Sequence, residues 1–180
     1  EFSKQLDIDP TIIAQKVCSE LYDGVTTSEL DILSSETAIA LYSGHLDYAE
    51  LASRIIISNH HKNTPEVFSD VVNTLYEKGI IDTYLFDIVQ ENKELINKQI
   101  DYTRDYKLDF FGFKTLEKSY LLKCDGVIVE RPQSLYMRVA LCIHRNNLDK
   151  AFETYDLISN KNFIHATPTL FNAGTKREQL

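Results

Sequence analysis

Two polar side chains stand four residues apart where a helix is expected to begin. Thr27 and Asp31 follow Thr26, and this spacing places both side chains on one side of a helix, near the positive end of its dipole. A hydroxyl and a carboxylate so placed can hold a ribose or a base. The same residues also fit a helix cap followed by a favourable acid in the first turn, and the spacing leaves both interpretations open.

A short basic run, His60, His61 and Lys62, is predicted at the C-terminal end of another helix. It could contact a phosphate, but basic residues are also expected there because they interact favourably with the helix dipole. Adjacent histidines point in different directions on a helix, which argues against a shared metal site. We therefore expect no metal in this chain.

A further hydroxyl, Thr167, lies in the run His165-Ala166-Thr167-Pro168-Thr169, which is predicted to be extended chain stiffened by proline. Thr167 could donate a hydrogen bond to a phosphate or a ribose. The alternative is a loop hydroxyl that bonds nearby backbone. His165 is more typical of a structural histidine than of a general base.

The signatures of common catalytic sites are absent from the sequence. It has no Gly-rich phosphate loop, no His-Glu-x-x-His, no Gly-x-Ser-x-Gly and no Cys-x-x-Cys. Its three cysteines, Cys18, Cys124 and Cys142, are far apart among apolar neighbours. They are predicted to be buried, reduced thiols. Composition and spacing alone therefore predict a soluble helical domain of unknown function.

Composition excludes several classes of function. The 180 residues carry a formal net charge of -8, which disfavours general nucleic-acid binding because such a chain repels the phosphate backbone. Hydrophobic residues make up 43% of the chain, enough for a core, yet no apolar run is long enough to cross a membrane. We expect a cytoplasmic protein that binds neither nucleic acid nor membrane.

The candidate residues are expected to be positioned by a mainly α fold, a helical bundle with one small β-hairpin near residues 120–130. The hairpin is predicted from Asp125-Gly126, a dipeptide that accepts positive φ at both positions. Residues 101–113 are predicted to be an ordered loop, and residues 163–180 extended chain and turn. Predicted helix starts are Asp9-Pro10, Thr26, Asp47, Thr64-Pro65, Asp82, Arg131-Pro132 and residue 148, and Gly24 and Gly44 are expected to end the first two helices.

Several longer runs, spread over nearly the whole chain in order, resemble the large chain of class I ribonucleoside-diphosphate reductase. The upstream run Leu21 to Asp31 is similar to the helical half of that family's ATP-cone, a regulatory module that senses ATP against dATP. The other runs are Tyr102-x-Arg104-Asp105, Phe111-Gly112-Phe113-Lys114-Thr115-Leu116-Glu117, Tyr120-Leu121-Leu122-Lys123, Glu130-Arg131-Pro132-Gln133, Met137-Arg138-Val139 and His165 to Thr175.

The resemblance implies roles for four residues. Thr27, Asp31 and Lys62 match positions that contact the ATP or dATP effector, where the Lys62 ammonium would face the phosphates. Thr167 matches a position, usually Ser in eukaryotic relatives, that contacts the nucleotide substrate. The family replaces the ribose 2′-hydroxyl of a nucleoside diphosphate by hydrogen, to supply DNA synthesis. It uses redox-active thiols and a thiyl radical generated by the radical cofactor of the small subunit.

On this resemblance, residues 1–65 are the helical half of an ATP-cone and residues 66–180 the helical N-terminal region of the large subunit. We expect the sequence to begin after the lid of the cone and to end before the catalytic α/β barrel. None of the three cysteines matches a redox-active position, so the chain is expected to be a non-catalytic part of an enzyme, with no catalytic residue and no bound cofactor of its own. Expected partners are the small subunit, a second large subunit, a nucleoside diphosphate and ATP or dATP.

Two other functions remain as alternatives. One is a free-standing nucleotide-sensing module, against which the runs Phe111-Gly112-Phe113 and Thr167 to Gly174 argue, because a regulator would not need them. The other is a helical protein-interaction domain with no ligand, which a failure to bind nucleotide would favour.

Overall fold

The structure, a computed structural model, describes residues 2–178 and is mainly helical, which confirms the predicted fold class. No helix in this range is both long and apolar enough to cross a membrane. The elements are α1 (Pro10–Ser19), α2 (Thr27–Ala40), α3 (Asp47–Lys62), α4 (Phe68–Glu77), α5 (Thr83–Glu91), α6 (Lys93–Gln99), a 3₁₀ helix (Tyr102–Lys107), α7 (Phe110–Ser119), β1 (Lys123–Cys124), β2 (Val127–Ile128), α8 (Pro132–His144), α9 (Leu148–Ser159) and α10 (Thr167–Asn172).

Local capping interactions begin several helices where the sequence predicts them. The Asp9 carboxylate accepts a hydrogen bond from the Thr11 N–H at 2.9 Å, with Pro10 at the first helical position. Thr26 and Glu29 form a reciprocal capping box at the start of α2. The predicted starts of α5, α8 and α9 are also confirmed.

Other predicted helix boundaries are wrong. The helix expected from Thr64-Pro65 begins only at Phe68, whereas α3 does begin at Asp47 as predicted, with Leu46 as its N-cap. Helix α1 ends at Ser19 and α2 at Ala40, in each case before the glycine that was expected to end it. The chain after Ser19 is no longer helical, and Leu21 is 48% exposed there.

The predicted hairpin is confirmed, with strands of two residues each. Lys123 pairs with Ile128 and Cys124 with Val127 in an antiparallel register. The two turn residues have positive φ, 51° at Asp125 and 83° at Gly126. This conformation suits the twist of a two-residue hairpin, and it explains the Asp-Gly sequence.

Two segments predicted to be irregular are helical. Residues 101–113 contain the 3₁₀ helix and the start of α7, where the Asp109 carboxylate accepts from the Gly112 N–H at 2.7 Å. Residues 167–172 form α10 rather than extended chain, because Pro168 suits a first helical turn and because a distant arginine binds the carbonyls at the other end. The last two positions of this prediction, 179 and 180, lie outside the described residues.

The predicted burial of the cysteines is right for only one residue. Cys142 is buried, Cys124 is partly exposed and Cys18 is exposed, and all three thiols are free. Cys18 lies near the end of α1, on a short helix with only Ile13 and Val17 buried. Apolar neighbours in sequence were therefore a poor guide to burial at this position.

The chain divides into two compact units, each with its own core. The first unit comprises the chain up to Asn63 together with Tyr106–Lys114, and the second comprises Thr64–Asp105 and the chain from Thr115 onward. This division does not report what either unit binds, so the ATP-cone assignment of residues 1–65 stays a prediction. Buried core residues include Ile13, Leu51, Ile56, Ile57 and Phe113 in the first unit and Phe68, Leu75, Leu85, Leu135, Met137 and Tyr155 in the second.

Candidate functional site

The structure brings the predicted effector residues of the first unit to the ends of two helices. Thr27 is the exposed first residue of α2, Asp31 follows one turn later, and Lys62 is the last residue of α3. The Lys62 ammonium lies 2.6 Å from the Asp31 carboxylate. A second hydrogen bond joins the same two helix ends: the Asn63 side-chain amide donates to the Ser28 hydroxyl at 3.3 Å.

The capping interpretation of Thr27 is wrong, because another residue caps α2. The Thr26 hydroxyl accepts from the Glu29 N–H at 3.2 Å, and the Glu29 carboxylate accepts in return from the Thr26 N–H at 2.8 Å. Thr27 is therefore not required to cap the helix, and its side chain is exposed beside the Asp31–Lys62 pair.

The basic run His60, His61 and Lys62 is divided by its packing. The His60 ring meets Phe113 edge-on at 5.3 Å, and the His61 ring meets Tyr106 edge-on at 5.5 Å. Lys62 instead joins Asp31, with 57% of its side chain exposed. An ion pair this exposed contributes little to stability, so Lys62 can exchange its partner for an anionic ligand at small cost.

In the second unit, the predicted substrate residue Thr167 is the exposed first residue of α10. Its hydroxyl lies 3.1 Å from the hydroxyl of Tyr120. The Tyr120 ring in turn stacks on Phe171, with 4.6 Å between centroids and 6° between planes. One tyrosine thus contacts two residues that stand four apart on α10.

A buried ion pair anchors the far end of α10. Arg138 and Glu130 are 0% and 1% exposed, and the Arg138 Nε lies 2.7 Å from a Glu130 carboxylate oxygen. The Arg138 guanidinium also donates to the Ala173 carbonyl at 2.6 Å and to the Leu170 carbonyl at 3.3 Å. These carbonyls have no partner within the helix, so the guanidinium satisfies them and fixes the position of α10.

The chain immediately after α10 is also closely packed. Gly174 has a φ of 73°, and a Cβ there would lie 2.3 Å from a methyl carbon of Leu85. Its N–H donates to the Cys142 sulfur at 3.1 Å. Burial raises the pKa of the Cys142 thiol to about 11, so this sulfur is protonated at neutral pH and serves as a weak acceptor.

Beside α10 lies a cavity of about 310 Å³ whose lining contains two cationic residues and no acidic one. This is unusual in a chain with a net charge of -8, and it makes the local field favourable for an anion. The lining residues are Gly79, Ile80, Leu122, Phe171, Asn172, Thr175, Lys176 and Arg177.

His165, two residues before α10, is only partly buried, but its Nε2 atom is buried without a hydrogen-bond partner in the described part of the chain. Burial, with a smaller contribution from His144, lowers the pKa of His165 below its usual value. The ring is therefore neutral at pH 7, packed edge-on against Phe163 at 5.2 Å.

Sequence reasoning assigned no role to Tyr120, Glu130 or Arg138, although all three lie in the runs that carry the family resemblance. One signal was available for Arg138. It interrupts an apolar run from Tyr136 to Cys142, and a charge in such a run has to be paired if the helix is buried on all sides. The contact of Tyr120 with Thr167 spans 47 positions and had no local signal.

Comparison with known proteins identifies related proteins along most of this chain. Residues 106–178 match the family described as "Ribonucleotide reductase, all-alpha domain". The chain is 49% identical to a ribonucleoside-diphosphate reductase large subunit of Arabidopsis thaliana, 51% to one of Danio rerio and 51% to one of Monkeypox virus. Each alignment covers 96% of the present chain. The chain belongs to the ribonucleotide reductase large-subunit family.

The match covers almost all of this chain but a minor part of each relative. The aligned region is 22% of the Arabidopsis protein, 23% of the Danio protein and 24% of the Monkeypox virus protein. The family match of the all-alpha domain lies over α7 to α10, which includes Tyr120, Arg138 and Thr167. The predicted family is confirmed.

Proposed function

We propose that this chain is part of a ribonucleoside-diphosphate reductase large subunit and forms one wall of the site where a nucleoside diphosphate is reduced. The observation that best supports this proposal is the position of Thr167. Its exposed hydroxyl lies at the start of a helix that the buried Arg138–Glu130 pair anchors. A hydroxyl held by a rigid element suits the orientation of a polar substrate. The nearby cavity with Lys176 and Arg177 favours an anionic ligand.

The chemistry itself is assigned to groups other than the cysteines of this chain. Cys142 is buried beside Gly174 with a raised pKa, which makes it a poor nucleophile and a poor redox partner. We propose that the parent enzyme uses redox-active thiols elsewhere and a radical that the small subunit generates. This chain would bind and orient, while the radical reaction takes place on groups outside it.

The experiment is steady-state reduction of a nucleoside diphosphate by the full-length large subunit with its small subunit. Thr167→Val removes the hydroxyl and keeps the shape of the side chain, so we expect KM for the substrate to rise about threefold to tenfold. Thr167→Ser restores the hydroxyl and is expected to stay near the parent value. Equal KM values for Val, Ser and Thr would exclude a substrate contact at this position.

A second proposal concerns regulation. We propose that Thr27, Asp31 and Lys62 contact ATP or dATP and that residues 1–65 belong to an ATP-cone. The observation that favours this is the convergence of α2 and α3, which puts an ammonium, a carboxylate and an exposed hydroxyl at one end of the unit. Lys62 would neutralise effector phosphate, and Asp31 would accept from a ribose or base.

This regulatory proposal has a matched control in the same chain. Lys78 and Asp125 form another exposed ion pair, at 2.7 Å, with no predicted ligand. In calorimetric titrations of the full-length subunit, Lys62→Gln should weaken ATP and dATP binding about tenfold or more, whereas Lys78→Gln should leave both unchanged. Unaltered binding by Lys62→Gln would remove the effector role. No binding by any form would favour the protein-interaction alternative.

We also propose the partners and the compartment that this function requires. They are the radical-generating small subunit, a second copy of the large subunit, and a cytoplasmic location. The support is membership of a family whose relatives are named large subunits, which implies a smaller one.

A further inference from the structure

Tyr120 makes a bridge across the start of α10. Its hydroxyl is 3.1 Å from the Thr167 hydroxyl, while its ring stacks on Phe171 at 4.6 Å. Thr167 and Phe171 stand four residues apart and therefore lie on the same face of the helix. The stack thus orients the ring, and the ring brings the phenolic oxygen to Thr167.

The same buried ion pair positions both sides of this contact. One Glu130 carboxylate oxygen accepts from the Leu122 N–H at 3.0 Å, two residues after Tyr120, and from the Arg138 guanidinium at 3.1 Å. Arg138 binds the carbonyls at the end of α10. Tyr120 and Thr167 are therefore anchored to one rigid group, which keeps their hydroxyls within hydrogen-bond distance.

The direction of the hydrogen bond follows from the acidity of the two groups. A phenolic O–H is more acidic than an aliphatic hydroxyl and is therefore the stronger hydrogen-bond donor. Either of these two hydroxyls can donate, and Tyr120 is the better donor of the pair, which makes Thr167 the acceptor. The single proton of Thr167 is then directed away from Tyr120, and it is available to an acceptor on a ligand.

We propose that Tyr120 is a positioning residue for substrate binding, which orients the Thr167 hydroxyl so that it donates to an oxygen of the substrate diphosphate. This inference rests on the proposed function, because it needs Thr167 to contact substrate. Tyr120 does not touch the substrate. It acts by holding one rotamer and one proton direction of Thr167, and the entropy of ordering that hydroxyl is lost before the substrate arrives.

The test is a double-mutant cycle in the full-length large subunit, assayed with its small subunit and a nucleoside diphosphate. Tyr120→Phe keeps the stack on Phe171 and removes only the hydroxyl. We expect a KM about threefold to tenfold higher and a kcat within about twofold. In a Thr167→Val background, Tyr120→Phe should cause no further change, because its effect passes through Thr167.

Tyr76→Phe is the matched control. Tyr76 lies in the same unit and stacks on Phe86 at 4.0 Å, but it has no contact with α10 among the described interactions. Its substitution should leave KM and kcat unchanged. Thermal unfolding of all variants should agree within about 2 °C, which separates positioning from loss of folded protein.

Different outcomes identify which idea has failed. If Thr167→Val raises KM and Tyr120→Phe does not, the role of Tyr120 is overturned and the substrate contact stands. If Tyr120→Phe has equal effects with Thr and with Val at position 167, Tyr120 acts independently of Thr167 and the inference is again overturned. If Thr167→Val leaves KM unchanged, the proposed substrate contact fails and the role of Tyr120 fails with it.

Discussion

At the scale of single residues, Arg138 and Glu130 form an ion pair from which water is excluded. Two buried charges gain little net stability over an apolar pair, but removing one partner leaves the other charge buried and uncompensated. The guanidinium also satisfies two carbonyls of α10. Its loss is therefore expected to cost more than the loss of an ordinary hydrogen bond.

We predict that Arg138→Met lowers the free energy of unfolding by about 3–5 kcal/mol, measured by urea denaturation of this chain. The control is Lys150→Met, which breaks an ion pair of 2.7 Å between side chains that are about 60% exposed. Lys150→Met should leave the free energy of unfolding unchanged within experimental error, because solvent screens exposed ion pairs. Equal effects of the two substitutions would show that burial of the Arg138 pair has no energetic consequence.

His165 has a pH-dependent consequence at the same scale. Its folded pKa lies below the usual value for histidine, with burial as the main cause. The folded state therefore binds this proton less tightly than the unfolded state does. The contribution to stability is present above pH 6.5 and is lost as the pH falls through the lower folded pKa.

We expect the ring signals of His165, followed by NMR, to titrate with a midpoint below the midpoint of the same histidine in the urea-unfolded chain. The assignment is obtained from His165→Gln, in which these signals disappear. A folded midpoint at or above the unfolded one would contradict the burial of Nε2 without a partner. It would indicate instead that the ring donates to a group that stabilises its protonated form.

At the scale of elements, a comparison of two glycines distinguishes the cost of backbone strain from the cost of a steric clash. Gly126, in the hairpin turn, and Gly174, after α10, have similar positive φ values of 83° and 73°. A Cβ on Gly126 would meet nothing within 4 Å, whereas a Cβ on Gly174 would lie 2.3 Å from Leu85. The backbone cost of alanine is therefore similar at both positions, and only Gly174 adds a clash.

We predict that Gly126→Ala costs about 1–2 kcal/mol of unfolding free energy, the usual cost of a left-handed alanine. Gly174→Ala should cost a further 1–3 kcal/mol or so, because Leu85 has to move within a packed core. Urea denaturation of both variants measures the difference. If the two substitutions lower the free energy of unfolding equally, Leu85 can move aside at no energetic cost. The close packing behind α10 would then not contribute to stability.

At the scale of the whole molecule, charge is the property that limits function. The net charge of -8 opposes association with duplex DNA, despite the local cavity with Lys176 and Arg177. A few lysines can attract one small anion, but they cannot neutralise the row of phosphates along a duplex.

We expect fluorescence anisotropy with a labelled duplex of about 30 base pairs to show no binding at about 0.15 M salt. The dissociation constant should be weaker than roughly 10⁻⁴ M, the upper end of the usual non-specific range. A basic DNA-binding protein in the same buffer is the positive control. Salt-dependent binding in the micromolar range would show that surface charge is distributed far more unevenly than the net value suggests.

The sequence by itself determined the features that depend on neighbours within four residues. These include the helix starts at Asp9-Pro10 and Thr26-Glu29 and the Asp125-Gly126 turn, because a cap or a turn is closed by groups only two or three positions away. It also identified the family, because the runs that resemble the family are stretches of adjacent residues that follow one another in the expected order along the sequence. The mainly helical class followed from these local signals.

The tertiary structure alone decided where the distant groups meet. Helix α10 was predicted to be extended because the arginine that binds its carbonyls lies more than 30 positions upstream. The Asp31–Lys62 and Tyr120–Thr167 contacts span 31 and 47 positions, and the exposure of Cys18 depends on how α1 packs. Such contacts form only when the chain has buried its core, and no pattern of adjacent residues encodes them directly.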